Sequence, residues 1–252
     1  MKISVITVVY NNSLHIKDCL NSISSQTYSD IEHIVIDGNS SDGTQQIISG
    51  FKDKIAIYKS EPDKGMYDAL NKGLALATGD VIGVLHSDDI FAHNQVIERI
   101  AEKLASSGAD VLYGDLTYVD ARDPEKIIRY WKSCGFEPRM LRKGWMPPHP
   151  TLFIKRELVL KTGFFDLSFK IAADYDYMLR VLQTPGITLA YLDEIITKMR
   201  VGGKSNRSFS NIVRKSYEDY KILKKNKTGG LLSLLLKNTS KVKQFFAEVQ
   251  KS

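Results

Sequence analysis

Two acidic residues stand together at Asp88-Asp89, directly after the apolar run Val81 to Leu85 and the pair His86-Ser87. Carboxylates that follow a buried strand are costly unless they are hydrated, hydrogen-bonded or paired with a cation. Hard divalent cations take oxygen ligands, and Mg²⁺ or Mn²⁺ commonly bridges protein carboxylates to substrate phosphates. The pair therefore reads as a metal site facing phosphates; the competing reading is a helix N-cap, since a helix is expected from near Asn94. Asp37 comes second, opening the polar stretch Asp37-Gly38-Asn39-Ser40-Ser41-Asp42-Gly43-Thr44. A carboxylate at the end of a strand suits a hydrogen bond to a base or ribose edge, as in dinucleotide-binding folds, although an ordinary turn residue is the alternative. After the first strand the chain reads Val9-Tyr10-Asn11-Asn12, not GxGxxG, and it holds no P-loop. An NAD-type reading loses its main support, and a metal is left to neutralise the phosphates.

Further along, Trp145 precedes the proline-bounded loop Met146-Pro147-Pro148-His149-Pro150. Trp145 could stack on a sugar face or belong to the core; His149 is either a polar contact or a structural histidine. Met199 to Ser205 carries two glycines, Arg200 and Lys204, a composition that fits a loop over a diphosphate or a plain turn.

The elements that must position these residues alternate. Ile3 to Val9 and Ile31 to Ile36 are continuous apolar runs, as expected of strands covered on both faces. Between them Asn12 or Ser13 caps a helix striped by Ile16, Cys19, Leu20 and Ile23. A helix with Ile47, Ile48 and Phe51 inward leads to a strand over Ile55 to Tyr58. Another helix, striped by Met66, Ala69, Leu70, Gly73, Leu74 and Ala77, leads to the strand Val81 to Leu85. Such alternation through about residue 110 implies right-handed βαβ units, a mostly parallel sheet, and a ligand crevice beyond the carboxyl ends of the strands. Asp37 and Asp88-Asp89 share that edge. Beyond it, strands are expected at Val111 to Tyr118, Ile127 to Trp131 and Thr151 to Ile154, a helix at Ala173 to Leu182, and paired strands at Ile187 to Leu192 and Ile195 to Val201.

A chain of 252 residues, 43% hydrophobic and 25% charged, supports one large α/β domain. Cys19 and Cys134 form no CxxC pair, so a reduced, cytoplasmic setting is expected. No apolar run approaches the roughly 18 to 20 residues of a membrane span, and the N-terminus lacks a small-residue cleavage site. The net charge of +6 is uneven: residues 203–252 hold 12 Lys/Arg against 3 Asp/Glu. In this end Leu231, Leu232 and Leu234 to Leu236 precede Val242, Phe245, Phe246 and Val249 at helical spacing. The result is a basic amphipathic tail suited to an anionic membrane surface or to packing on protein. No nucleic-acid motif accompanies it.

Taken in order, the segments SVITVVYN, VIDGNSSDGT, SEPDKGMYDALNKGLALATGD, LHSDD and ADYDYMLR resemble bacterial family 2 glycosyltransferases with the GT-A fold. These belong to the kind found in capsule, O-antigen and exopolysaccharide clusters. The resemblance implies a Rossmann-like α/β sheet over residues 1–207, with a nucleotide-sugar half to about residue 110, an acceptor half from about 111, and a helical extension over 208–252. It implies that Val8, Tyr10, Asn11 and Asp37 hold the nucleoside, with Asp37 facing the base. Asp63, Lys64 and the helix from Met66 line the donor pocket, Asn71 braces that helix, and Ser87, Asp88 and Lys204 complete the donor side. Asp88 and Asp89 match the DXD motif, with Asp89 the direct ligand of Mn²⁺ or Mg²⁺. Asp174 maps onto the catalytic base, and Asp176, His149 and Trp145 onto the acceptor side. Ala173 replaces the Glu of the usual Glu-Asp-x-Asp, which removes one acceptor-side neighbour. A carboxylate at a helix start suits deprotonation of a sugar hydroxyl, and such a base supplies about 10² to 10⁴-fold; an N-cap is the structural alternative. The implied function is inverting transfer from a nucleoside-diphosphate sugar, UDP-sugars favoured, to a glycan or lipid-linked hydroxyl at the inner face of the membrane. A sugar nucleotidyltransferase and a non-catalytic nucleotide-sugar binder are the rivals.

Overall fold

The structure is a computed structural model, and it describes residues 1–202 and 209–240. Strand β1 (Ile3–Val9) is followed by α1 (Ile16–Ser24), β2 (Ile31–Asp37), α2 (Thr44–Ser49), β3 (Ile57–Ser60), α3 (Met66–Leu76) and β4 (Val81–Val84). β5 (Ile90–Phe91), α4 (Val96–Ser107), β6 (Val111–Val119) and β7 (Ile127–Trp131) come next, then β8 (Phe153–Lys155), α5 (Arg156–Thr162), α6 (Ala173–Leu182) and β9 (Leu189–Arg200). Two helices follow, α7 (Phe209–Lys225) and α8 (Leu231–Ser240).

One sheet unites the strands in the order β3-β2-β1-β4-β8-β6-β9-β5, with β7 paired to β6. Most paired residues lie in parallel ladders: β1 with β2 and β4, β2 with β3, and β6 with β9. β8 runs antiparallel to both β4 and β6. β1 and β2 are covered on both faces, which explains their unbroken apolar runs. Cys19, Ile23, Val96, Ile97 and Ile100 pack below the sheet, while Leu70, Leu74, Tyr175 and Leu179 pack above it.

Several expectations shift in the structure. The region read as two paired strands, 187–192 and 195–201, is the single strand β9, which absorbs the break as register irregularities opposite Gly114 and Asp115. β3 starts at Ile57, because a 3-10 turn at Lys52–Lys54 takes up the preceding residues. α1 has no side-chain cap; Asn12 accepts the helix's first amides through its carbonyl, and its side chain turns elsewhere. The tail helices are docked on the body. Lys237 on α8 is 2% exposed and paired with Asp219 at 2.7 Å, so this part of the tail packs on protein, one of the two expected alternatives. Val242, Phe245, Phe246 and Val249 lie outside the described residues, as does Lys204. Among the described residues no helix is long and apolar enough to cross a membrane.

Candidate active site

The parallel register sets Val9 beside Asp37 and Asp37 beside Ser60, so β1, β2 and β3 end together. β4 runs parallel to β1, with Val84 beside Ile6, and its following loop emerges at the same edge. Hydrogen bonds join these loops. Asn11 donates its N–H to Ser40 Oγ at 2.8 Å and accepts Ser41 N–H at 2.9 Å. Asn12 Nδ2 donates to Ser87 Oγ at 2.9 Å, tying the β1 loop to the acidic loop. Asn11 and Asn39 both take left-handed backbone, φ 47° and 64°, a conformation asparagine tolerates better than most side chains.

Asp37 is fully buried, and its carboxylate accepts the hydroxyls of Ser40 (2.5 Å) and Ser60 (2.6 Å). Its side chain exposes no surface, contrary to the expected direct contact with a base, and it orders the loop that follows β2. Gly38 lies where loops converge, since a Cβ there would sit 2.5 Å from Asp63 Oδ2 and 3.2 Å from the Tyr10 ring. Asp63 also accepts Gly65 N–H at 2.8 Å, and Lys64 is exposed beside it. Val8 is a core residue, 6% exposed, so only its backbone faces the edge.

Asp89 carries the sharpest electrostatic signal. It is 1% exposed, and neither carboxylate oxygen has a hydrogen-bond partner. Burial pushes its pKa well up, Asp88 adds to that, and Arg200 opposes it. Arg200 ends β9 and donates to the Asp88 carbonyl at 2.9 Å and to Asp18 at 2.6 Å. An unsatisfied buried carboxylate next to a second one fits a divalent cation. Among the described residues no cluster of three His, Cys, Asp or Glu could hold an ion, so the two aspartates would leave the remaining positions to water and substrate oxygens.

Across the cleft, Asp174 sits in the first turn of α6, a quarter exposed, with Oδ2 3.5 Å from His149 Nδ1. Tyr67 on α3 places its hydroxyl 3.2 Å from Asp174 Oδ1 and donates to the Ile171 carbonyl at 2.8 Å. Burial pushes the Asp174 carboxyl up, but His149, Lys237 and Lys215 outweigh it and hold the pKa below its ordinary value. The group is therefore ionised at neutral pH. The His149 ring packs edge-on to His86, 6.0 Å between centroids, and His86 belongs to the loop carrying Asp88-Asp89. An apolar pocket floored by Leu70, Ile82 and Ile154 opens beneath this group.

Other residues settle differently. Asn71 exchanges two hydrogen bonds with the Phe165 backbone, so it braces α3 and does not reach toward a ligand. Asp176 is fully buried and held by Arg180 (2.9 Å), Lys225 (3.0 Å) and Asn226 (3.0 Å); its expected acceptor contact gives way to a structural anchor. Trp145 packs on Tyr113 and Phe136, half-buried in an aromatic cluster. Tyr67 and the side chain of Asn12 are not among the expected site residues, and Arg200, expected in a loop over a diphosphate, ends β9 and holds the acidic loop instead. Tyr67 follows Met66 within the stripe of α3, and its hydroxyl on an apolar helix face was the available signal.

The fold and this edge define the class: a GT-A-type α/β protein whose parallel strand ends carry a hydrogen-bonded polar loop and an acidic pair of which Asp89 is buried. The family model described as glycosyl transferase family 2 matches residues 4–170, and the chain belongs to that family. It is 36% identical over 184 residues to an uncharacterized glycosyltransferase of Mycobacterium tuberculosis, covering 71% of this chain and 68% of that protein. It is 27% identical over 208 residues to a PGL/p-HBAD biosynthesis glycosyltransferase of Mycobacterium bovis, covering 81% of this chain and 78% of the relative. Among solved structures, Staphylococcus aureus TarS 1–349 in complex with UDP-GlcNAc superposes with a TM-score of 0.70 at 19% identity, over 90% of this chain and 65% of that one. The mannosyltransferase PcManGT of Pyrobaculum calidifontis, in complex with GDP-Man and Mn²⁺, gives 0.64 at 17% identity, over 98% of this chain and 76% of that one. The chain spans 39% of the longer TarS structure.

Proposed function

We propose that the protein is an inverting, metal-dependent glycosyltransferase acting from a nucleoside-diphosphate sugar, UDP-sugars favoured, onto a hydroxyl of a glycan or lipid-linked acceptor. The observation that carries this is the contact chain from the acidic loop to Asp174 through His86 and His149. It links the loop carrying the buried Asp89 to the ionised, partly exposed Asp174, which supports one shared site.

Tyr10, Asn11 and the loop ordered by Asp37 hold the nucleoside, and Asp63 and Lys64 flank the diphosphate side. Asp89 with Asp88 holds Mn²⁺ or Mg²⁺, which when bound supplies positive charge for the departing diphosphate. Asp174 takes the proton of the acceptor hydroxyl as that oxygen bonds to the anomeric carbon. The bond to the diphosphate oxygen breaks on the opposite face, and one displacement with one base inverts the centre. Tyr67 and His149 hold the Asp174 carboxylate toward the cleft. The neighbours' donors, UDP-GlcNAc and GDP-Man, support a sugar nucleotide without selecting one. A role in bacterial surface polysaccharide synthesis is the accompanying biological reading.

Contact with the inner face of the membrane rests on α8. Leu231, Leu232 and Leu235 are 67%, 72% and 61% exposed, beside a turn carrying exposed Arg142 and Lys143. Flotation with phosphatidylserine vesicles checks it, and loss of binding is expected in Leu232→Glu.

The mechanism is tested by nucleotide release from a panel of UDP- and GDP-sugars with Mn²⁺ and candidate acceptors. Asp174→Asn is expected to lower transfer by about 10² to 10⁴-fold, and Asp89→Ala to abolish the metal response. Transfer near the wild-type rate in either variant overturns that residue's role.

A further inference from the structure

We infer that Glu218, on α7, is the positioning residue for Asp174, an inference that rests on the reading of Asp174 as the base. α6 begins without a side-chain cap, because the residue ahead of it is Ala172. A helix start leaves amides open, and alanine has no oxygen to fill them. From another element, Glu218 instead binds the amides of the residues that lead into α6. Its carboxylate accepts the N–H groups of Lys170 at 3.1 Å, Ile171 at 2.9 Å and Ala172 at 3.0 Å. The side chain is 6% exposed, and Arg214 donates to it at 3.2 Å from the solvent side.

The middle residue of the three, Ile171, is also gripped from α3. Tyr67 donates to the Ile171 carbonyl at 2.8 Å and stands 3.2 Å from Asp174 Oδ1. Segment 170–172 is thus pinned through its amides by α7 and through a carbonyl by α3, and Asp174 follows two residues on. α7 holds α6 again one turn deeper, where Lys225 and Asn226 meet Asp176. α8 contributes Lys237, whose Nζ lies 3.2 Å from the centre of the Tyr175 ring. Burial pushes the Glu218 carboxyl up, but the amide bonds and Arg214 outweigh it, so the group is ionised and suited to a helix start.

A cap that only stabilised α6 would leave the Asp174–His149 contact alone once the chain had folded. A positioning role makes that 3.5 Å contact depend on Glu218. The test follows the His149 ring titration by NMR in the intact chain and in Asp174→Asn, Glu218→Ala and Glu218→Gln. Asp174→Asn removes the neighbouring charge and sets the full downward shift of the His149 midpoint. Glu218→Ala is expected to give most of that shift with Asp174 still present. Glu218→Gln keeps one acceptor oxygen but turns an amide toward Lys170 N–H, and is expected to give a smaller shift of the same sign. An unmoved midpoint in folded Glu218→Ala overturns the proposal, and the same result in Glu218→Gln does so where the alanine variant does not fold. Failure of the base assignment shows separately, as wild-type transfer in Asp174→Asn with the His149 midpoint moved.

Discussion

Replacing Asp89 by Asn is expected to make the metal-free protein melt higher while removing its response to metal and nucleotide. Both Asp89 carboxylate oxygens are buried without a partner, and burial raises its pKa above the unfolded value of about 3.9. The folded state therefore holds this proton more tightly than the unfolded state. Its contribution to stability is complete below about pH 4 and is lost as pH climbs through the raised folded value. At pH 8 an isosteric neutral amide avoids the buried charge. Leaving a buried polar group unmade costs about 1–3 kcal/mol; Arg200 nearby and the amide's own unmet bonds bring the expected gain to about 1–2 kcal/mol. For a chain of this size that is roughly 2–8 °C in Tm. Wild type should instead gain about 2.7 kcal/mol when Mn²⁺-UDP is present at about a hundred times its Kd, and the Asn variant should gain almost none. Differential scanning fluorimetry at pH 5 and pH 8, with and without Mn²⁺ and UDP, reads both arms. The reasoning is refuted if the variant melts no higher than wild type at pH 8, or if its Mn²⁺-UDP shift matches wild type.

Gly38→Ala places a Cβ against Asp63 and the Tyr10 ring, so UDP affinity measured by calorimetry should fall about tenfold or more while the melting point changes little. Gly83→Ala meets the Phe153 ring where β4 and β8 pair, and should destabilise by about 1–3 kcal/mol in urea unfolding. Glu32, at the opposite end of the sheet, is pushed up by burial, but bonds from Lys2, Ser4 and Thr78 outweigh this and bring its pKa down to about 2. Its stabilisation is therefore present above the unfolded carboxyl range and lost as pH falls through about 2. Glu32→Gln should cost about 2 kcal/mol at pH 7 and reduce the acid sensitivity of the melt.

The first half of the fold was legible because parallel strands covered on both faces write themselves as unbroken apolar runs. β1 begins and ends where its run does, and the buried face of α1 is the stripe Ile16, Cys19, Leu20, Ile23. β5 escaped because two residues make no pattern, and β9 was divided because its register shifts opposite Gly114 and Asp115 interrupt the alternation. In the site, the sharing of one edge by Asp37 and the acidic pair followed from strand direction alone. What each carboxylate touches did not. Asp37 is saturated by two serines, one of them 23 residues away at Ser60, and Asp176 is claimed by α7, 49 and 50 residues on. Glu218 was invisible for the same reason: it sits 46 to 48 residues beyond the amides it accepts, in a basic tail whose composition does not show which part of the body it meets.

The position of β8 has a consequence for recombination between relatives. β8 arrives late in the chain, yet it lies between β4 and β6 and pairs with both, so the strand bearing the acidic loop borrows its neighbour from the second half of the chain. A break near residue 110 would strip β4 of one flank and leave Phe153's seat over Gly83 empty. A chimera made to change what the enzyme glycosylates must therefore carry a matched 83/153 pair across the join; a graft chosen only by sequence position would be judged first at that seam.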